Sequence, residues 1–183
     1  MNFSELSKSK SIVFSTLNQM KNLNPRRTHF FVHVLSLFLS IKGRLNFLQL
    51  ERFGNFDEQT FRNHFEKKFD FLEFNKILVK DNCSKNLAIA FDPSYISKSG
   101  KKTPGVGYFW SGCAGSSKWG LEISGLAAVD AGNHTAFHLD AVQTIGVKEN
   151  ETLIDYYLNV ILERKDALQE LSKTIPADAY FSK

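Results

Sequence analysis

Apolar residues recur at three- and four-residue intervals through the first 85 positions and then change to runs and alternation, so a helical half precedes a sheet-bearing half. Phe14, Leu17 and Met20 share a helical face, Asn24-Pro25 interrupts it, and Phe30, Phe31, Val34, Leu35, Phe38 and Leu39 form a second stripe before Gly43. A short third segment, residues 46–53, closes at Gly54-Asn55. Asp57 is placed to cap a fourth helix that stacks Phe61, Phe65 and Phe69 on one face and leaves Arg62, Lys67 and Lys68 largely on the others. The expectation is an all-helical, basic, phenylalanine-rich lobe over residues 1–85. Two readings of that lobe stay open: a helix-turn-helix whose helix from Gln59 onward enters a DNA groove, or a packing bundle with a solvated basic face.

Beyond Cys83 the period changes. Residues 87–92 are a nearly unbroken apolar run that ends in Asp92-Pro93, where proline is expected to halt a central strand. Residues 93–118 have the glycine, serine and lysine content of a long loop, a length that is more often functional than decorative. Residues 119–129 and 135–142 predict a hairpin joined by Asp130-Ala131-Gly132-Asn133. Thr152 caps a helix that carries Leu153, Tyr156, Tyr157, Val160, Ile161, Leu168 and Leu171 to its end at Thr174-Ile175-Pro176, and residues 177–181 begin another strand. Three consecutive strands joined without helices are expected to be antiparallel, and a fourth reached through a helix can lie parallel beside the first. Asp92 and Asp178 would then occupy adjacent strands. The expected class is α+β, with the helical lobe followed over residues 86–183 by the first half of a ribonuclease-H-like mixed α/β domain.

Composition sharpens this division. Hydrophobic residues at 43% and charged residues at 23% place the chain in the globular class and exclude disordered or fibrous ones. The net charge of +4 is unevenly held: residues 1–85 carry fourteen Lys/Arg against eight Asp/Glu, residues 86–183 nine against eleven. The helical half is therefore the expected nucleic-acid reader. Cys83 and Cys113 lie far from each other and from any Cys or His at metal-finger spacing, which argues against a disulfide framework and a zinc finger and fits a reducing compartment. The start of the chain lacks the pattern of a secretory leader, and the longest apolar stretch, residues 30–41, is interrupted by His33 and too short for a bilayer. A cytoplasmic location without membrane partners is expected, and the glycosylation triplets at Asn133 and Asn150 read as chance matches.

Two acids stand in apolar surroundings, Asp92 at its strand and Asp178 within Ile175-Pro176-Ala177-Asp178-Ala179-Tyr180-Phe181. A carboxylate beside a hydrophobic sheet is costly to desolvate unless a cation or hydrogen-bond donors meet it. Two-metal phosphodiester cleavage needs carboxylates from different elements converging on ions about 3.5–4 Å apart, and oxygen ligands suit Mg2+ or Mn2+.

The segment Ala90-Phe91-Asp92-Pro93-Ser94-Tyr95-Ile96-Ser97-Lys98, continuing through Lys101, Lys102 and Thr103, closely resembles the first catalytic-aspartate block of DDE transposases of the bacterial insertion-sequence type, the group called IS-four. Ala177-Asp178-Ala179-Tyr180-Phe181 is similar to that family's second block, and Gly107-Tyr108-Phe109-Trp110-Ser111-Gly112 with the hairpin after Trp119 is similar to the region between. The resemblance covers roughly residues 87–183. It implies that Asp92 bridges two ions and Asp178 holds one of them. It implies hydrolysis at element ends, attack of the freed 3′-hydroxyl on target DNA, recognition of terminal repeats, a homodimer in a synaptic complex, and residence on the nucleoid when DNA-bound. The family's third acid, a glutamate in a block with a tyrosine, an arginine and a lysine, has no counterpart before Lys183, so a transposase portion inactive on its own is expected. The alternatives are a non-catalytic DNA-binding or regulatory transposase remnant and a ribonuclease-H-like nuclease of another kind.

Other features weigh less. Asp130 adjoins a turn and Asp140 faces outward on its strand, so neither is expected to substitute as a catalytic acid. Ser99-Gly100-Lys101-Lys102-Thr103 lacks the upstream glycine and following helix of a phosphate loop, and Gly105-Val106-Gly107 lacks the third glycine of a dinucleotide fingerprint. Lys98, Lys101 and Lys102 either contact DNA phosphate or are simply solvated. His29 with His33, and His134 with His138, read as packing or surface residues for want of co-ligands. Trp110 and Trp119 either stack on bases or anchor a core.

Overall fold

In the computed structural model, which describes residues 3–147 and 150–176, the chain divides into two compact units between Ile77 and Leu78. The first is helical: α1 (Phe3–Gln19), α2 (Pro25–Ser40), α3 (Phe47–Phe53), α4 (Glu58–Phe65) and the start of α5 (Phe71–Asn82). Side-chain caps open four of these helices. Asn24 accepts from the Arg27 amide at 2.9 Å with Pro25 already inside the helix, Asn46 from Gln49 at 2.9 Å, Asp57 from Thr60 at 2.6 Å, and Asp70 from Glu73 at 2.9 Å. Each bond satisfies an amide that the first turn leaves without a partner.

Phe30 is the hub of this unit's core. Its ring meets Phe31 and Phe61 at 5.7 Å and Phe56 at 5.8 Å, and stacks on His64 at 3.9 Å. Phe61 has no exposed surface at all. The expected stack of Phe61, Phe65 and Phe69 along one helix does not form, because α4 stops at Phe65 and Glu66 is its C-cap. Phe69 lies past the end of α4 and rests on Phe31 instead, with ring centroids 3.9 Å apart. The helix after it, α5, is an element that the apolar pattern did not separate, although Asp70 and Glu73 have capping spacing.

His33 joins α2 to the turn after α3. Its Nε2 accepts the Asn55 amide at 3.0 Å. A Cβ on Gly54 would sit 2.4 Å from the Leu50 carbonyl oxygen and 2.9 Å from His33 Nε2, so this approach requires glycine. Burial, then the charges of His29 and Lys10, hold His33 below the ordinary imidazole range. Burial, then Lys67 and Arg27, do the same for His64. An imidazole that accepts a backbone N–H must be neutral, and here neutrality is favoured.

The second unit carries β1 (Leu87–Ser97), β2 (Gly107–Ser111), a 3-10 turn at Gly112–Ala114, β3 (Ser116–Asp130), β4 (Thr135–Gln143), α6 (Leu153–Leu162) and α7 (Lys165–Gln169). β3 is the common partner of the other three strands, all antiparallel to it: β1 from Leu87↔Asp130 to Ser97↔Gly120, β2 from Gly107↔Gly120 to Ser111↔Ser116, and β4 from Thr135↔Asp130 to Gln143↔Ile123. Among the described residues the fold is thus α+β, with seven α-helices and one antiparallel four-stranded sheet.

Three sequence expectations change here. Pro93 does not end β1, which continues to Ser97. The Ile89 amide donates to Thr174 and not to β3. By the two-residue period, Pro93 also turns its missing N–H away from β3, so no bond of that ladder is lost. The expected loop over 93–118 shrinks to 98–106, because Pro93–Ser97 extends β1, β2 and the 3-10 turn occupy 107–114, and β3 already begins at Ser116. The single helix expected after Thr152 splits. Thr152 and Asp155 form a reciprocal capping box at its start, but Arg164 leaves helical geometry, donating Nε to Asp140 at 2.7 Å and Nη1 to the Val160 carbonyl at 3.0 Å. No helix among the described residues is long and apolar enough to cross a membrane.

Phe61→Ala should destabilise the helical unit by about 3–5 kcal/mol, the usual cost of emptying a phenylalanine site, as read by urea unfolding followed by far-UV circular dichroism. Because the folded-state pKa values of His33 and His64 are depressed, the unfolded chain takes up protons first. Stability should therefore fall as pH drops below about 6.5 and level off below the folded values. His33→Gln should flatten that slope in helical melting curves, and an unchanged slope would count against the Asn55 contact.

Candidate functional site

Asp92 lies in the middle of β1, not at its tip, and is exposed. Its ladder partner is Gly125, so no side chain stands opposite the carboxylate. A Cβ at Gly125 would meet the Asp92 carbonyl oxygen at an ordinary 3.6 Å, so packing does not demand the glycine, whose effect is to leave the acid open. Among the described residues the carboxylate accepts one hydrogen bond, from Ser94 Oγ to Oδ2 at 2.9 Å.

The face that presents Asp92 is the one α6 leaves bare. Helix α6 lies on the opposite face, where Phe91 meets the Tyr157 ring at 5.8 Å, Glu122 accepts from Tyr157, and Asp140 pairs with Arg164 just past the helix. Asp92 alternates with Phe91 and so points the other way. On β3 the α6 side holds Gly120, Glu122, Ser124, Leu126, Ala128 and Asp130, all buried, while Leu121, Ile123, Ala127 and Val129 on the Asp92 side are half-buried. A small apolar cavity of about 250 Å³ on the α6 side, bordered by Phe91, Ile154, Tyr157 and Pro176, is lined, among the described residues, by no Asp, Glu, His, Lys or Arg.

The remaining acids of the sheet are engaged structurally. Asp130 is fully buried and accepts from the amides of Ser84 (2.8 Å), Gly132 (3.0 Å) and Asn133 (3.1 Å), from Asn133 Nδ2 (2.8 Å) and from the Ser84 hydroxyl. These donors, the Ser84 hydroxyl first, hold its carboxyl far below the usual range. Asp140 is not turned to solvent as expected: its Oδ2 takes the Arg164 guanidinium at 2.7 Å and its Oδ1 the Ala141 amide at 2.9 Å. Glu122, buried and not singled out by the sequence pattern, accepts from the Thr144 hydroxyl at 2.9 Å and from the Tyr157 hydroxyl at 2.5 Å. His134 sits in the turn before β4 at φ +51° and so does not share an element with His138.

Asp178 lies outside the described residues, as does the strand expected at 177–181. The chain leading to it is described. Ser172 Oγ donates to the Leu87 carbonyl at 2.6 Å, and the Ile89 amide donates to the Thr174 carbonyl at 2.9 Å, which brings residues 172–174 alongside β1 in the same direction. As for metal chemistry, Asp92 offers one open carboxylate of the oxygen type that Mg2+ or Mn2+ takes, and no group of three His, Cys, Asp or Glu able to hold an ion occurs among the described residues.

Lys98, Lys101 and Lys102 are exposed in the segment that follows β1. Arg62, Lys67 and Lys68 belong to the helical unit. The Arg62 guanidinium is spent on Glu58 and on the Phe47 ring, 4.7 Å from its centroid. Lys67 and Lys68 are exposed, and their carbonyls accept from Arg27 at 2.8 and 2.5 Å. Tyr108 and Trp110 have 73% and 63% of their surface exposed, an openness that the sequence pattern did not settle.

This division of the acids has a consequence for stability. Asp92→Ala should change stability by less than about 0.5 kcal/mol, whereas Asp130→Asn should lower the melting temperature by several degrees at neutral pH. The Asp130 contribution is present above the unfolded carboxylate pKa of about 3.9 and is lost as pH falls toward the depressed folded value. The gap between wild type and Asp130→Asn should close in acid melts, and a gap constant with pH would refute the assignment. Among known proteins, no family model matches the chain and no curated sequence matches it significantly.

Proposed function

We propose that this chain is a DNA-processing protein of the DDE transposase kind, in which Asp92 and Asp178 hold Mg2+ or Mn2+ at the open face of a ribonuclease-H-like sheet. The observation that carries the reading is the same-direction return of the chain beside β1, at Ser172–Leu87 and Ile89–Thr174. In a parallel ladder, an N–H of residue 89 bonded to the carbonyl of residue 174 sets position 89 opposite 175. In sequence, Asp178 follows Ile175 by the same three residues by which Asp92 follows Ile89. Two acids far apart in sequence are thereby proposed to serve one ion site.

The cation, when bound, would activate the attacking oxygen and stabilise the leaving oxygen of a phosphodiester. The chain's own part is positional. The β1–β3 ladder fixes the Asp92 backbone, Ser94 orients one carboxylate oxygen, and Gly125 leaves room above it for a ligand. Lys98, Lys101 and Lys102 would take backbone phosphates, and the basic helical unit, with exposed Lys67 and Lys68, would provide a second region of positive charge for element ends or target DNA. The proposal for these residues is binding of DNA and cation.

Mn2+ should raise the melting temperature of the wild-type chain in a dose-dependent way, since a ligand bound only by the folded state stabilises it. Asp92→Asn and Asp178→Asn should each weaken the shift and together abolish it, while duplex DNA binding in EDTA is retained. An unchanged Mn2+ shift in the double variant would overturn the site. Salt-sensitive duplex binding with no Mn2+ response in wild type would instead leave a non-catalytic DNA-binding protein.

A further inference from the structure

We propose that the β2–β3 end of the sheet is a stacking platform for unpaired DNA bases, with Tyr108, Trp110 and Trp119 as the platform and Lys98, Lys101 and Lys102 as its phosphate contacts. The choice of DNA rests on the functional reading above. The stacking rests on separate observations.

Tyr108 and Trp119 are ladder partners whose rings meet edge to face at 5.3 Å, and Trp110, two residues along β2, emerges on the same face. Across the ladder from Trp110 stands only Ser117. Tyr108 is 73% exposed, Trp110 63% and Trp119 37%. Three large rings left in water on one short hairpin exceed the scattered apolar exposure of an ordinary surface. The surroundings name the occupant's charge. Residues 93–121 contain Lys98, Lys101, Lys102 and Lys118 and not one Asp or Glu. The Trp119 indole N–H points at the Gly100 carbonyl, 3.4 Å away, so the lysine-bearing segment lies against the rings. Flat aromatic faces beside a lysine-bearing segment without acids of its own fit a strand whose bases are free to stack, because a duplex hides its base faces.

The same face also carries Asp92. Trp119 and Gly125 share parity on β3, and Gly125 is the partner of Asp92. Gly125 lies six positions beyond Trp119 along β3, roughly 20 Å at the rise of an antiparallel strand. A strand lying along this face can reach Asp92 while its unpaired end stacks on the rings.

The test uses the full chain in EDTA, so that it does not depend on metal binding. Its only two tryptophans are Trp110 and Trp119, so intrinsic tryptophan fluorescence reports on the platform itself. Titration with a twelve-nucleotide oligo(dT) should quench that fluorescence, and quenching should weaken as salt rises. Tyr108→Ala and Trp110→Ala should each weaken oligo(dT) binding by roughly five- to a hundredfold, Tyr108→Phe should restore it, and all three should bind duplex DNA as wild type does. Lys101→Gln should reduce the slope of log affinity against log salt by about 0.7. Melting temperatures near wild type are expected for these exposed positions and exclude misfolding. Wild-type affinity for oligo(dT) in both alanine variants overturns the platform, as does self-association that they abolish while oligo(dT) binding persists. Duplex binding with no response to oligo(dT) sinks the platform and leaves the DNA reading standing, whereas absence of binding to either DNA sinks both.

Discussion

Everything described in the sheet hangs on β3. All three other strands pair with it, and Gly120 and every position from Ile123 to Asp130 have partners on both sides. At Gly120 the backbone of β1 comes so close that a Cβ would lie 2.4 Å from the Ile96 carbonyl oxygen and 2.6 Å from the Tyr95 ring. At Asp130 a buried carboxylate gathers donors from the turn to β4 and from Ser84 ahead of β1, so one side chain fixes where both neighbouring strands begin. A buried acid is tolerable on such terms because each lone pair that leaves water finds a donor. Losing β3 therefore loses the register of Asp92, since nothing else described spans its strand from end to end.

β3 also inverts the ordinary rule for sheet faces. Its alternation places Leu121, Ile123, Ala127 and Val129 together, and an amphipathic reading would bury that set against the helix. The structure buries the other set, with Glu122 against α6 and Asp130 against Ser84 and the turn to β4. Glu122 is accommodated by the hydroxyls of Thr144 and Tyr157, which the end of β4 and the middle of α6 bring to it. The apolar set is left half-covered around Asp92. A hydrophobic face with one open acid at its middle is poorly explained as solvent-facing surface and well suited to receiving a ligand or further protein.

Much of this was legible in the sequence where a local rule acts alone. The break at Asn24-Pro25, the caps at Asp57 and Thr152, the hairpin through residues 130–133 and the change from helical to strand periods all follow from short-range chemistry. What failed was decided by tertiary context. Pro93 reads as a stop, yet its register turns the missing N–H away from β3. The helix after Thr152 reads as continuous, yet Arg164 is drawn out of helical geometry by Asp140, whose position depends on a bulge between β3 and β4. Phe69 continues a periodic stripe in sequence, but it packs on Phe31 in another helix. Asp92 itself was legible as an acid in an apolar run. That it stands mid-strand opposite a glycine required the ladder.

The electrostatics of the open face constrain what can cover it. Asp92 now meets water and one serine hydroxyl, so its charge costs little. Anything that covers the neighbouring apolar positions takes that charge out of water and must bring compensating positive charge or several donors. A nucleic-acid backbone does the opposite, because each phosphate adds negative charge beside the carboxylate. On the proposed function, DNA would therefore approach Asp92 closely only together with a cation, while roughly 20 Å along the same face the lysines of residues 93–121 would hold phosphates unaided. Under that proposal, binding strength and cation demand would be separated along one face. DNA would be held mainly at the lysine-rich aromatic end, and the acid end would become usable only when a divalent ion accompanies the phosphate.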